Sequence, residues 1–186
     1  MQSGMDSTEQ RLPHLRRVVT GHDTAGRSIV LFDGPCIFHR DINGGGWNVQ
    51  DIWESDVVPV PIDASEPDPT VGPVHFGIPE TGIRVRVTDI PPTRPGTPPF
   101  MHRTNSIDYL HVLEGEVTML LDDERHAVVL RKGDTIVQRA TNHAWVNHTD
   151  AHCRVLVVMV AGRVSPALEK IIGPVPPWDG RARPVR

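Results

Sequence analysis

Histidine and carboxylate side chains gather most densely between Gly96 and Asn147, where His102, Asp108, His111 and His143 sit amid strand-like alternation, with His148 just beyond. Imidazoles and carboxylates are donors that a divalent ion accepts, so metal chemistry would be built here if several of them met. Alternation sorts the candidates. Asp108, Leu110 and Val112 point one way while Tyr109, His111 and Leu113 point the other, which parts His111 from Asp108. In the second half His143, Trp145 and Asn147 share a face, with Ala144 and Val146 opposite. His148 follows at a strand end and, like His111, reads as a surface histidine.

Two stretches carry a family pattern. The first runs from Gly96 through His102, Thr104 and Asp108 to Gly115; the second runs from Gly133 through Gln138, Arg139, Ala140 and His143 to Asn147. Together they resemble the two cupin motifs. The first motif has a Gly, five residues, His-x-His, three or four residues, a Glu, six residues and a Gly. Gly96, His102, Asp108 and Gly115 fall on that spacing, with Thr104 in place of the second His and Asp108 one methylene shorter than Glu. In the second motif Gly133, His143 and Asn147 fit. The interval is one residue short, Gln138 or Arg139 stands where Pro would, and Ala140 replaces Gly.

The resemblance implies a small all-β fold, an antiparallel jelly-roll barrel, and a metal held by His102, Asp108 and His143. A straight strand from His102 to Asp108 would separate them by about 20 Å at roughly 3.3 Å per residue. The chain must therefore turn between them, and Thr104, Asn105 and Ser106 are suited to that. Two imidazoles and a carboxylate with open positions match the facial arrangement of non-haem Fe(II), the favoured ion, although Zn, Mn or Ni accept the same donors. Lewis-acid polarisation of a chelating oxygen substrate, or O2 activation by iron, would follow. Thr104 leaves a position open beside the ion, where a small-molecule substrate would bind. Trp145 would wall a planar ligand, and Asn147 and Arg139 are candidate donors around the reacting centre.

Cupin enzymes include dioxygenases, decarboxylases, lyases, isomerases and cyclases, so the resemblance narrows mechanism more than substrate. Thr104 keeps a second reading open: a sensor or carrier that has lost the metal and binds a small molecule without turning it over. Family habit also implies a homodimer.

Composition narrows the remaining classes. The 186 residues suit one domain with a sizeable core. A net charge of -4 gives no basic footprint for nucleic acid. Cys36 and Cys153 are far apart and form no CxxC, so two reduced, partly buried thiols are expected. Neither a signal peptide nor a membrane-length apolar run is evident, which makes a cytoplasmic protein the expectation.

The elements that must position the site follow from turn signals and β-branched runs. Residues 1–14 read as a mobile tail, 15–163 as the barrel domain and 164–186 as a helix followed by a Pro- and Arg-containing tail. Residues 17–20 and 28–32 make a hairpin, with Asp33-Gly34-Pro35 ending its second strand. Asn43 to Gly46 connect to a strand at Trp47–Trp53. His39 and Asp41 read as a solvated pair outside the site. Val57 to Pro73, loaded with Pro and acids, forms a long loop, either a lid or a surface insertion.

Ile83, Val85 and Val87 alternate with Arg84 and Arg86, and the commoner placement sends such arginines to solvent. A hairpin spans Glu116 to Leu130, and Arg154–Val160, apolar on both faces, should be a central strand. Ser165 caps a helix starting at Pro166 and ending before Gly173, expected to pack across the barrel.

Overall fold

The computed structural model describes residues 12–36, 39–42, 46–64, 66–72 and 77–175, the 39–42 run by its backbone. Most of the expected 1–14 tail, the 43–45 connection, part of the 57–73 loop, the side chains of His39 and Asp41 and the tail beyond 175 fall outside that description. Among the described residues eleven strands form: β1 (Arg16–His22), β2 (Ser28–Pro35), β3 (His39–Ile42), β4 (Trp47–Ser55), β5 (Ile83–Ile90), β6 (Ser106–Glu114), β7 (Glu116–Leu120), β8 (Val128–Arg131), β9 (Thr135–Arg139), β10 (Ala144–Val146) and β11 (Cys153–Ala161). One α-helix, α1 (Pro166–Ile172), follows them.

All the strand pairs are antiparallel. β1 and β2 form the expected hairpin, although β2 runs through Asp33 and Gly34 to Pro35 and does not stop at Asp33. A six-stranded sheet has the order β3, β4, β5, β11, β6, β9, and a three-stranded one the order β10, β7, β8. β11 lies between β5 and β6, as its two apolar faces require. The two larger sheets meet through Ile90, Leu110, Val112, Cys153 and Val155 from one and Val117 and Leu130 from the other. Burying each such side chain stabilises the fold by roughly 1.5–3 kcal/mol.

Register shows what else faces that interior. Residues paired across an antiparallel ladder project to the same side. Glu54, Arg84, Met159, Asp108 and Gln138 therefore form one row across five strands. The next row is Asp51, Arg86, Val157, Leu110 and Ile136, and the next Val49, Thr88, Val155 and Val112.

Arg84 and Arg86 thus do not face solvent as expected: they are 4% and 6% exposed. Arg84 pairs with Glu54, and Arg86 holds Asp51 through Nε at 2.9 Å. The reason is a β-bulge in β4 between Asp51 and Trp53. Asp51 and Glu54 are three apart and would take opposite faces in a regular strand. The extra residue puts both carboxylates on the arginine side.

The helix also departs from expectation. Ser165 accepts from the Leu168 N–H at 3.3 Å and caps it, but none of its residues is buried and Ile171 is 81% exposed. Its end is held instead by the Arg103 guanidinium, which donates to the carbonyls of Ile172, Gly173 and Pro174.

Of the long loop, Asp68 and Thr70 reach the Arg17 guanidinium of β1. A cavity of about 200 Å3 lies there, lined by Arg17, Phe32, Cys36, Asp51, Asp68, Thr70 and Val71. Both cysteines are unpaired and buried, which pushes both thiols up, Cys153 to about 12. No helix of the described residues is long and apolar enough to cross a membrane.

Candidate functional site

His102 precedes β6 and His143 precedes β10, yet their backbones pair directly. An isolated antiparallel bridge joins them, with each N–H donating to the other's carbonyl at 2.9 Å. Paired residues face the same way, so the imidazole centroids lie 4.1 Å apart, tilted by 49°. Phe100 stacks on His102 at 5.0 Å, and Trp145 meets His143 edge-on at 5.6 Å. In each ring Nδ1 lies near the carbonyl two residues upstream: Phe100 O at 3.1 Å for His102 and Thr141 O at 3.0 Å for His143. A ring that donates Nδ1–H to such a carbonyl carries its lone pair on Nε2, the usual tautomer of a metal-ligating histidine.

Asp108 arrives from β6 on the polar row. Thr104 and Asn105 take the chain from the His102 bridge into β6, while Ser106, expected in the same turn, already opens the strand. The Thr104 hydroxyl reaches Ser106 Oγ at 2.7 Å and Asp108 Oδ2 at 3.5 Å. Across the ladder Gln138 lies opposite Asp108, and its Nε2 is 3.4 Å from Oδ2 and 2.9 Å from His143 Nδ1. Asp108 Oδ1 is buried without a hydrogen-bond partner. A bare carboxylate oxygen in the interior is costly, which makes it an acceptor waiting for a proton or a cation.

The electrostatics follow from burial. Desolvation pushes the Asp108 carboxyl up, against hydrogen bonds from Ser106 and Thr104 and the positive Arg86 nearby. Desolvation takes His143 down to about 3, helped by neighbouring His102, while the carbonyls of Thr141 and His102 act the other way. His102 is lowered by burial too, against the Phe100 carbonyl. Both rings are therefore neutral at pH 7, the form that can donate a lone pair.

The structure brings His102, His143, Asp108, Thr104 and Trp145 to one region. It does not bring Arg139 there: that side chain is exposed, because Gln138 takes the inward position and its neighbour in the strand must point out. Asn147 is fully buried, and its amide is spent on the backbone. Nδ2 donates to the Ile90 and Ala151 carbonyls, and Oδ1 accepts from the Thr149 N–H and hydroxyl. It organises the turn into β11 and has no donor left for a reacting centre.

Sequence reasoning missed Gln138 as a site residue. Its signal was parity: it sits two residues after Ile136, a natural inward position.

Among the described residues no three His, Cys, Asp or Glu side chains form a ready-made metal cage. The imidazole pair and the bare Asp108 oxygen are the donors that fit one ion in kind, with Gln138 between carboxylate and His143.

A family model described as a cupin domain matches residues 86–159, which include His102, Asp108, Gln138 and His143. Phomopsin biosynthesis cluster protein C' of Diaporthe leptostromiformis is 32% identical over 149 residues, covering 77% of this chain and 75% of that protein. The cupin-domain-containing oxidoreductase srdD of Neurospora crassa is 31% identical over 147 residues, 74% of this chain and 70% of its own length. The corresponding virC protein of Hypocrea virens is 32% identical over 147 residues, with coverages of 74% and 71%.

Proposed function

The chain belongs to the cupin family, and from that premise we propose that it is a metal-dependent oxidoreductase acting on a small oxygen-bearing organic molecule, its two larger sheets forming a jelly-roll barrel around the site. The observation that carries this reading is the pair of neutral imidazoles, His102 anchored on the Phe100 carbonyl and His143 beside it, next to a buried carboxylate with a bare oxygen. Relatives named as cupin-domain-containing oxidoreductases favour redox chemistry over the lyase and isomerase types.

His102, His143 and Asp108 would hold a divalent ion, Fe(II) in the favoured case, which when bound would polarise a substrate oxygen and activate O2. The protein's own part is to seat and orient. Phe100 and Trp145 are the apolar faces against the two imidazoles, and a planar substrate would lie along them. Thr104 stands where the family has a second His and contributes a hydroxyl 3.5 Å from Asp108 Oδ2, while Oδ1 is left without a hydrogen-bond partner. The neutral rings add no positive charge that would repel a cation.

A second reading, a binder that has lost its metal, is favoured by Thr104 and by the missing three-donor cage among the described residues. Elemental analysis separates the two. Protein purified without chelator or nickel affinity should carry near-stoichiometric iron, manganese or zinc, and His143→Ala should lose it together with turnover. Absence of metal from the wild type even after reconstitution would overturn the enzyme reading in favour of the binder.

A further inference from the structure

His143 Nδ1 stands between two neighbours with opposite demands. The Thr141 carbonyl, 3.0 Å away, accepts and so calls for a proton on Nδ1; the Gln138 amide nitrogen, 2.9 Å away, donates and so calls for a lone pair there. A neutral imidazole has one N–H and one lone pair and can satisfy one of these at a time. Thr141's demand comes from fixed backbone, whereas Gln138's depends on which end of its amide faces the ring.

We propose that Gln138 is a positioning residue that selects the tautomer of His143. Asp108 fixes the amide's orientation: Oδ2 lies 3.4 Å from the same Gln138 Nε2, and an amide oxygen there would set two acceptors against each other. With its N–H2 end inward, Gln138 gives one hydrogen to Asp108 and the other to His143 Nδ1. The ring proton then sits on Nε2, and His143 offers the site a hydrogen-bond donor. When Gln138 no longer donates, the Thr141 carbonyl takes Nδ1–H and Nε2 offers a lone pair.

Gln138 is 4% exposed, so water does not readily replace it. Its register opposite Asp108 and the turn at Ala140, which returns the chain to His143, place one amide on both groups. The consequence for catalysis rests on the function proposed above, since an ion at His143 needs the lone-pair tautomer. Gln138 thereby makes ion uptake conditional on a rearrangement of the ring proton.

The test is 15N NMR of the imidazole nitrogens in metal-free protein near pH 7, with His143 assigned by its disappearance in His143→Gln. Wild type should show the proton on Nε2. Gln138→Leu, which removes the donor, should invert the major tautomer to Nδ1–H. Gln138→Glu should do the same, because its carboxylate accepts from Nδ1, and it decides the matter if the Leu variant does not fold. An Nδ1–H ring in the wild type, or an unchanged tautomer in the folded variants, overturns the proposal. Zn2+ uptake by the wild type tests the proposed function and the tautomer of the metal-free ring tests this inference, so each idea can fail without the other.

Discussion

The inner face of the six-stranded sheet has two ends made by the same strands, and they are built on opposite principles. At one end Glu54, Arg84, Asp108 and Gln138 share a row, with Asp51 and Arg86 in the next; at the other, Val155 and Val112 pack with Ile90 and Cys153, and Val49 and Thr88 complete their row. Both ends are buried. The apolar end gains stability from the removal of its surface from water. The polar end must offset the desolvation of five ionisable groups, and for four of them does so with two ion pairs whose geometry depends on the β4 bulge, leaving Asp108 outside them. A sheet that needed only stability would be apolar throughout, so the polar end is explained by the site next to it, where Arg86 acts on Asp108.

Breaking one ion pair is the strongest challenge to that contrast. Arg86→Met leaves Asp51 buried without its partner and should cost about 3–5 kcal/mol in urea unfolding. Asp51→Leu combined with Arg86→Met should recover most of the loss, since a matched apolar pair often replaces a buried ion pair without penalty. If the single and double variants are equally unstable, the arginine row is structural in some way that charge pairing does not describe. At the apolar end Val112→Ala, at 0% exposure, should cost about 2 kcal/mol through the cavity it leaves and should not alter the His143 tautomer.

The same contrast explains what was legible in the sequence. Motif spacing picked out His102, Asp108 and His143, and two-sided apolarity placed β11 at the centre of its sheet. Alternation showed that Arg84 and Arg86 share a face but carries no sign for inside or outside. The sign is set by Asp51 and Glu54, about 30 residues earlier, and only through a bulge that no local pattern announces. Motif spacing left Gln138 and Arg139 as equal occupants of the Pro position, and parity within β9 decides between them: Gln138 points inward and Arg139 out. Asn147 had the right face, but its amide was already committed to backbone groups around β11.

Acid should separate the ends further in metal-free protein. The unfolded His143 ring takes a proton near 6.5 and the folded one near about 3, so between those values the unfolded state binds more protons. Stability therefore falls as pH drops from about 6.5 towards 3, by up to roughly 1.4 kcal/mol per pH unit for this one group. Asp108, raised by burial, has the opposite sign: its folded carboxyl is protonated before the unfolded one, and acidification relieves its cost. Urea midpoints between pH 7 and pH 4 should fall less steeply in His143→Gln than in wild type, and more steeply in Asp108→Asn. Parallel slopes in all three proteins would mean that the rings are charged or solvated in the fold.

The smallest effect is at the turn that delivers His143 to the polar end. Ala140 has φ 50, a left-handed backbone in a residue with a β-carbon, where the family motif has Gly. Such a conformation costs about 1–2 kcal/mol, and the greater freedom of an unfolded glycine returns roughly half of that. Ala140→Gly should therefore stabilise the protein by about 0.5–1 kcal/mol. The turn itself should persist, because the residue's N–H still donates to the Ser106 carbonyl and the His102 bridge still fixes His143. Ala140→Val tests the other direction: a β-branched residue tolerates left-handed backbone worse than Ala does. It should lose stability and loosen the contact between Gln138 and His143, seen as a mixed ring tautomer by 15N NMR. A Gly variant no more stable than wild type would show that Ala140 bears no strain, and that the motif position tolerates Ala freely.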